Sequence, residues 1–303
     1  MYKRQQTKKN DQFEGSTPQE KWDKFYEDVL TYISDDDSTK KVAVLGITDY
    51  FSIDNYRKVI SDGKLTDKFE LLLPNIEMRI TPVCSKAAMN IHFICNPNIV
   101  SQLDVKLFSQ LTFKHSNGQT FHAVKDDFIK LGQLFDATLV DDAAYRKGIE
   151  QFVVDLSNLK QILDVDKDLR ENVIVVVSNS SNDGASGIGN SSRQNANSDL
   201  TVVRDDLCYF ADMFFCATES SIKYFLGEGP LTKEQIVRKY GRLKPCIHGC
   251  DAHKNIDILT SNSNRYCWIK ADCTFEGLKQ IIYEPKERVK ICDACLLYTS
   301  DAA

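Results

Sequence analysis

Lys41-Val-Ala-Val-Leu-Gly-Ile-Thr-Asp-Tyr50 is the segment from which an architecture can be read. Val42, Ala43, Val44, Leu45 and Ile47 follow one another without the alternation of a half-exposed strand. The segment therefore reads as a strand from Lys41 to Ile47 covered on both faces, as in a parallel sheet. Thr48, Asp49 and Tyr50 then fall at its carboxyl end, where such sheets present polar groups. Val173-Ile-Val-Val-Val177 repeats the pattern and runs into Ser178 and Asn179.

Helices and strands alternate outward from these two segments. Thr17-Pro18-Gln19-Glu20 is a capping box with proline at the first helical position, and Trp22, Phe25, Tyr26, Val29, Leu30 and Ile33 continue it on one apolar face. Ser52 can cap a short helix through Tyr56, Val59 and Ile60 that stops at Gly63. Leu71 to Ile80 and Asn90 to Cys95 read as strands. One long amphipathic helix is expected from the shared face of Tyr145, Ile149, Phe152, Val153, Leu156, Leu159 and Leu163. Leu200, Val203, Leu207 and Phe210 mark another helix, Met213 to Ala217 a strand, and Thr232 to Gln235 a capped start. Pro245 to Ile247 and Tyr266 to Ala271 are strand-like, with a last helix after Thr274. The alternation predicts an α/β fold with a parallel sheet or barrel.

Composition excludes several classes. In 303 residues, 42% hydrophobic and 27% charged content is that of a globular protein, and a net charge of −5 gives no general attraction to nucleic acid or anionic lipid. The longest apolar runs fall far short of the roughly 20 residues of a membrane helix. No apolar segment follows the basic start, so neither a membrane span nor a secretory signal is expected. The ten cysteines are scattered and read as reduced thiols of a cytoplasmic protein. Cys292-x-x-Cys295 lacks a second pair, and Asp164-x-Asp166-x-Asp168 lacks the glycine and closing glutamate of a calcium loop. The Gly/Ser/Asn-rich stretch after Asn179 has no Gly-Lys-Ser/Thr ending, so no ATP site is expected.

Metal-competent groups recur near strand ends. His248-Gly-Cys-Asp-Ala-His253 concentrates three of them, and Asp251 and His253, two apart, point the same way on an extended segment. Glu77 and His92 lie within apolar strand patterns, where an unpaired charge is expensive and a partner or a metal is needed. Asp49, Glu77, His92, Asn179 and the His248 cluster are expected at the carboxyl ends of successive strands, the arrangement by which barrels assemble a site.

The segments Gly46 to Tyr56, Leu72 to Arg79, Asn90 to Ile94, Asn179 to Gly187, Lys244 to His253 and Trp268 to Gln280 together resemble the PHP (polymerase and histidinol phosphatase) domain. More narrowly they resemble the amino-terminal region of TrlF-type AAA-like ATPases. That resemblance implies a distorted (β/α)7 barrel, incomplete at the N-terminus, over residues 6–294. It implies metal roles for Asp49, Glu77, His92, His248, Asp251 and His253, with Glu77, Asp251 and His253 catalytic. Roughly two or three Zn, Mn or Fe ions would activate water against phosphate esters of nucleotides or nucleic acid. Lys270, Arg265 and Asn179 are expected to hold substrate. Tyr50 stands where the family has a histidine ligand, and the opening His-x-His motif is absent, which implies little activity. The alternative is a degenerate domain that binds a nucleotide or nucleic-acid ligand and regulates an attached ATPase. Residues 1–5 and 295–303 resemble a translated sequencing adapter and are expected to lie outside the native fold.

Overall fold

The computed structural model describes residues 2–3, 12–34, 42–83, 87–188, 201–250, 252–259 and 265–292. In chain order the elements are β1 (Tyr2–Lys3), α1 (Pro18–Ser34), β2 (Val44–Tyr50), α2 (Asp54–Asp62), β3 (Leu71–Val83) and β4 (Ala88–Cys95). Next come β5 (Thr112–Lys114), β6 (Thr120–His122), α3 (Lys125–Phe135), α4 (Asp141–Gln151), α5 (Leu156–Val165), α6 (Lys167–Glu171) and β7 (Val173–Ser178). The chain finishes with α7 (Thr201–Phe210), β8 (Met213–Phe215), α8 (Glu219–Phe225), α9 (Lys233–Tyr240), β9 (Cys246–Ile247), β10 (Tyr266–Ile269), α10 (Phe275–Gln280), α11 (Pro285–Arg288) and β11 (Val289–Cys292). The fold is mixed α/β. It forms two compact units, one of Met1–Asp49, Asp54–Pro74 and Asp212–Ala303, the other of Tyr50–Ile53 and Asn75–Ala211.

In the second unit β4 lies between β3 and β7, and both pairings are antiparallel. This corrects the parallel arrangement expected for these strands. Too few residues separate β3 from β4 for the crossover a parallel pair needs, whereas a hairpin connection suffices. Ile91, Phe93, Ile174, Val175, Val176 and Val177 are fully buried, so the continuous apolar pattern reports coverage of both faces and not strand direction.

The expected single helix through Leu163 is two. After α4 the chain is extended, Val154 exchanging backbone hydrogen bonds with Arg79 and Thr81, before Asp155 caps α5 by accepting from the Ser157 N–H. The β-branched pair Val153-Val154 and a strong capping residue favour this break over a continuous helix. Helices α3 and α4 meet through glycines, because a Cβ on Gly132 would lie 1.9 Å from the Ala144 carbonyl oxygen and one on Gly148 would lie 1.7 Å from that of Phe128. Above them Phe51, Phe128 and Phe152 form an edge-to-face cluster, with Phe51 and Phe152 centroids 5.1 Å apart. Each such ring contributes about 1.5–3 kcal/mol by burial.

In the first unit α1 begins as the capping box requires, the Glu20 N–H donating to the Thr17 hydroxyl oxygen. The Glu20 carboxylate accepts from Ser16 N–H, one residue earlier than the usual reciprocal bond. Trp22, Phe25 and Tyr26 are buried on its inner face, and the Tyr26 hydroxyl donates to Asp62 at the end of α2. Gly63, at φ +67°, ends α2 as expected. Strands β8 and β9 pair in parallel, α9 carries the full capping box at Thr232 and Gln235, and β10 pairs antiparallel with β11. Tyr2 and Lys3, expected to stand outside the fold, pair in parallel with Ile47 and Thr48. Backbone pairing needs only an extended chain, not particular side chains.

Candidate metal-binding site

Asn75, Glu77 and Arg79 alternate along β3 and so share one face, with Ile94, His92 and Asn90 directly opposite on β4. The carbonyls of Glu77 and Arg79 accept from the N–H groups of Phe51 and Val154, away from β4. Glu77–His92 and Arg79–Asn90 are therefore the closely spaced pairs of the ladder, with facing side chains. Glu77 and His92 are each only 3% exposed. They occupy the middle of their strands rather than carboxyl ends, which corrects the reason for expecting them together. The antiparallel register, not a common barrel rim, makes them neighbours.

The amide nitrogen of Asn75 lies 3.2 Å from His92 Nδ1, in the same buried face. With the carboxamide turned the other way, Asn75 Oδ1 would accept from Nδ1–H and leave the Nε2 lone pair for a metal, the usual support of a ligating histidine. Asn75 is a further candidate that the sequence reading missed, although its two-residue spacing from Glu77 was a signal.

Tyr50 belongs to the same unit. Arg79 lies over its ring at 5.6 Å, and the ring of Phe51 meets it edge-on at 4.9 Å. Burial pushes the Tyr50 phenol far above its ordinary range; Arg79 opposes this, and the carboxylates of Glu77 and Glu150 add to it. Tyr50 therefore stays a neutral phenol, a donor and not an anionic ligand. Phe51 has φ +49°, a left-handed conformation that costs a bulky residue about 1–3 kcal/mol. Its N–H bond to Glu77 and its seat between Phe128 and Phe152 hold it there. The strained turn thereby ties Tyr50 to the Glu77 strand.

The remaining expected residues are placed as follows. Asp49 is fully buried at the end of β2, and one carboxylate oxygen accepts from Asn55 N–H, 3.1 Å away, in the first turn of α2. The charge thus has a structural use at a helix start. His248 follows β9, and its Nε2 is buried without a hydrogen-bond partner among the described residues. Burial and then the charge of Arg265 hold its pKa below the ordinary 6.5, so it is neutral at pH 7. Arg265 thus lies close enough to disfavour a second cation there. His253 is partly buried and accepts at its carbonyl from Gln12 N–H. Asp251 lies outside the described residues. Asn179 accepts from the Ser186 hydroxyl and so braces its own loop, while Lys270 is exposed beyond β10.

Among the described residues, no three His, Cys, Asp or Glu side chains converge into a metal-holding group. Glu77 and His92 supply a carboxylate and an imidazole of the types a divalent ion takes. The eight described cysteines are all free thiols. No described helix is long and apolar enough to cross a membrane.

No family model matches this chain. No curated protein matches it either. A solved structure from Bifidobacterium adolescentis, provisionally named a metal-dependent phosphoesterase, is similar at 12% identity and a TM-score of 0.37, over 85% of this chain and 90% of that one. A likeness of that extent carries no argument about this chain.

Proposed function

We propose that this chain is a PHP-type metal-dependent phosphoesterase domain, built on an incomplete (β/α)7 barrel, that hydrolyses phosphate esters of nucleotides or nucleic acid. The observation that supports the reading is the buried Glu77–His92 pair, facing across β3 and β4 with Asn75 at the imidazole. A carboxylate and an imidazole placed side by side away from water need a cation or a proton between them. In this reading Glu77 and His92 hold a divalent ion, and Asn75 fixes the tautomer and plane of His92. When bound, the ion supplies an activated water and a charge for phosphate oxygens. Tyr50 remains a protonated, neutral phenol. The resemblance further assigns Asp49, His248, Asp251 and His253 to metal, and Lys270, Arg265 and Asn179 to substrate. An attached ATPase would be its usual fusion partner.

One feature favours the second reading, a degenerate domain that binds a nucleotide or nucleic-acid ligand and regulates that ATPase. Tyr50 replaces an imidazole by a buried phenol that cannot ionise near neutral pH. The test is elemental analysis of bound metal with hydrolysis of a chromogenic phosphate ester, in the wild-type chain and in Glu77→Gln and His92→Gln. Metal retained by the wild type, and metal and turnover lost in both variants, supports the hydrolase. A folded, metal-free wild type that binds nucleotide without turnover selects the second reading.

A further inference from the structure

We infer that Arg79 is an anion clamp that takes a phosphate group beside the Glu77–His92 pair; the choice of phosphate rests on the phosphoesterase reading. Arg79 is partly buried, two residues beyond Glu77 and on the same face of β3. No ion pair or side-chain hydrogen bond joins its guanidinium to another described residue; among them its guanidinium lies over the Tyr50 ring, 5.6 Å from the centroid. Glu150, whose charge also reaches Tyr50, bonds to Lys147 at 3.2 Å. A guanidinium carries five N–H donors, and those of Arg79 have no acceptor among the described residues. A guanidinium held over an aromatic face is positioned without any of those donors being consumed. Its fork of donors matches two oxygens of one phosphate.

Asn90 adds a second, separate observation. It stands directly across the ladder from Arg79, and its amide nitrogen donates to Asp183 at 3.0 Å. That bond, with the Asn90 N–H to Asp183 carbonyl bond at 2.8 Å, ties the loop after β7 back onto β4. Asn90 Oδ1 is left buried with no donor among the described residues. Across the ladder from this acceptor stands Arg79, whose donors have no acceptor among the described residues. Turning one N–H of Arg79 toward Asn90 Oδ1 would satisfy both and leave the rest of the fork for the ligand. Glu77 and His92 lie on the same face one pair along the ladder, so a phosphate gripped by Arg79 would sit beside them. The clamp thus selects esters with a terminal, doubly accessible phosphate over neutral or internal ones.

The experiment measures binding of inorganic phosphate by calorimetry, with Mn2+ and with chelator, to the wild-type chain, Arg79→Met and Arg79→Lys. In parallel, phenylglyoxal labelling of Arg79 in the wild type is followed by peptide mass spectrometry with and without phosphate. The expected results are phosphate binding by the wild type, weakened about ten-fold or more in Arg79→Met, with a lesser recovery in Arg79→Lys because the fork is lost. Phosphate should also protect Arg79 from phenylglyoxal, a readout that needs no variant to fold. Undiminished binding in a folded Arg79→Met, labelling indifferent to phosphate, or no binding to the wild type in either condition overturns the clamp. Arg79-dependent phosphate binding without ester hydrolysis leaves the clamp standing and removes the hydrolase; normal hydrolysis by Arg79→Met does the reverse.

Discussion

Glu77 and His92 are direct partners in the antiparallel ladder of β3 and β4, both almost wholly buried, with their side chains on one face. Their proximity is a property of the backbone register, so it survives removal of either side chain. Glu77→Gln keeps the shape and deletes the charge. That variant is expected to retain its fold while metal bound per chain falls at least about ten-fold, since outer partners alone are worth 10–100-fold. Unchanged metal content in folded Glu77→Gln would remove this residue from the ligand set.

The α3–α4 crossing has no room for a methyl group. Gly148→Ala would bring a Cβ to 1.7 Å of the Phe128 carbonyl oxygen, which is backbone and cannot swing aside. A loss of about 1–3 kcal/mol or more is expected, read as a lower midpoint in urea unfolding. A variant as stable as the wild type would mean the helices are farther apart than described.

Cys216 is the thiol expected to react first. Hydrogen bonding from Cys246, with further bonds from Thr218 and Ser221 against the opposing effect of burial, lowers its pKa from 9.0 to about 5. Above that value it is a thiolate. Its iodoacetamide labelling, followed by peptide mass spectrometry, should therefore stay nearly constant from pH 8 down to about pH 6 and fall below about pH 5. Cys246→Ala should move the fall to higher pH. Labelling that climbs about ten-fold per pH unit up to pH 8 would show an ordinary thiol.

His248 links stability to pH. Its folded pKa lies below the ordinary 6.5, chiefly through burial and then Arg265. The unfolded chain binds the proton more readily, so the contribution of neutral His248 is complete above about pH 6.5 and is lost as pH falls through the lowered folded value. Unfolding midpoints of the wild type should decline over that range more steeply than those of His248→Gln. Parallel curves would mean that His248 is solvated and titrates alike in both states.

Much of the secondary structure was legible because its causes are local. The proline and capping box at Thr17, the Thr232 box, Gly63 and the apolar runs at Val173 and Ile91 act within a few residues of themselves. The helix break before Asp155 was not read, since the apolar face continues across it and only the pairing of Val154 with β3 makes it extended. Glu77 and His92 could be singled out as polar groups in apolar strands. The sequence reading missed Asn75 and left Arg79 without a role, because their significance depends on which residues stand across the ladder.

By itself the sequence determined where most strands and helices form, and it singled out Glu77 and His92 as polar groups inside apolar strands. Tertiary structure decided strand direction and register. An apolar run is equally satisfied by parallel or antiparallel neighbours, so burial does not encode orientation; the short connection and the ladder do. That choice put His92 opposite Glu77 and Asn90 opposite Arg79. Long-range pairing, which no local propensity specifies, turned separate polar residues into one face.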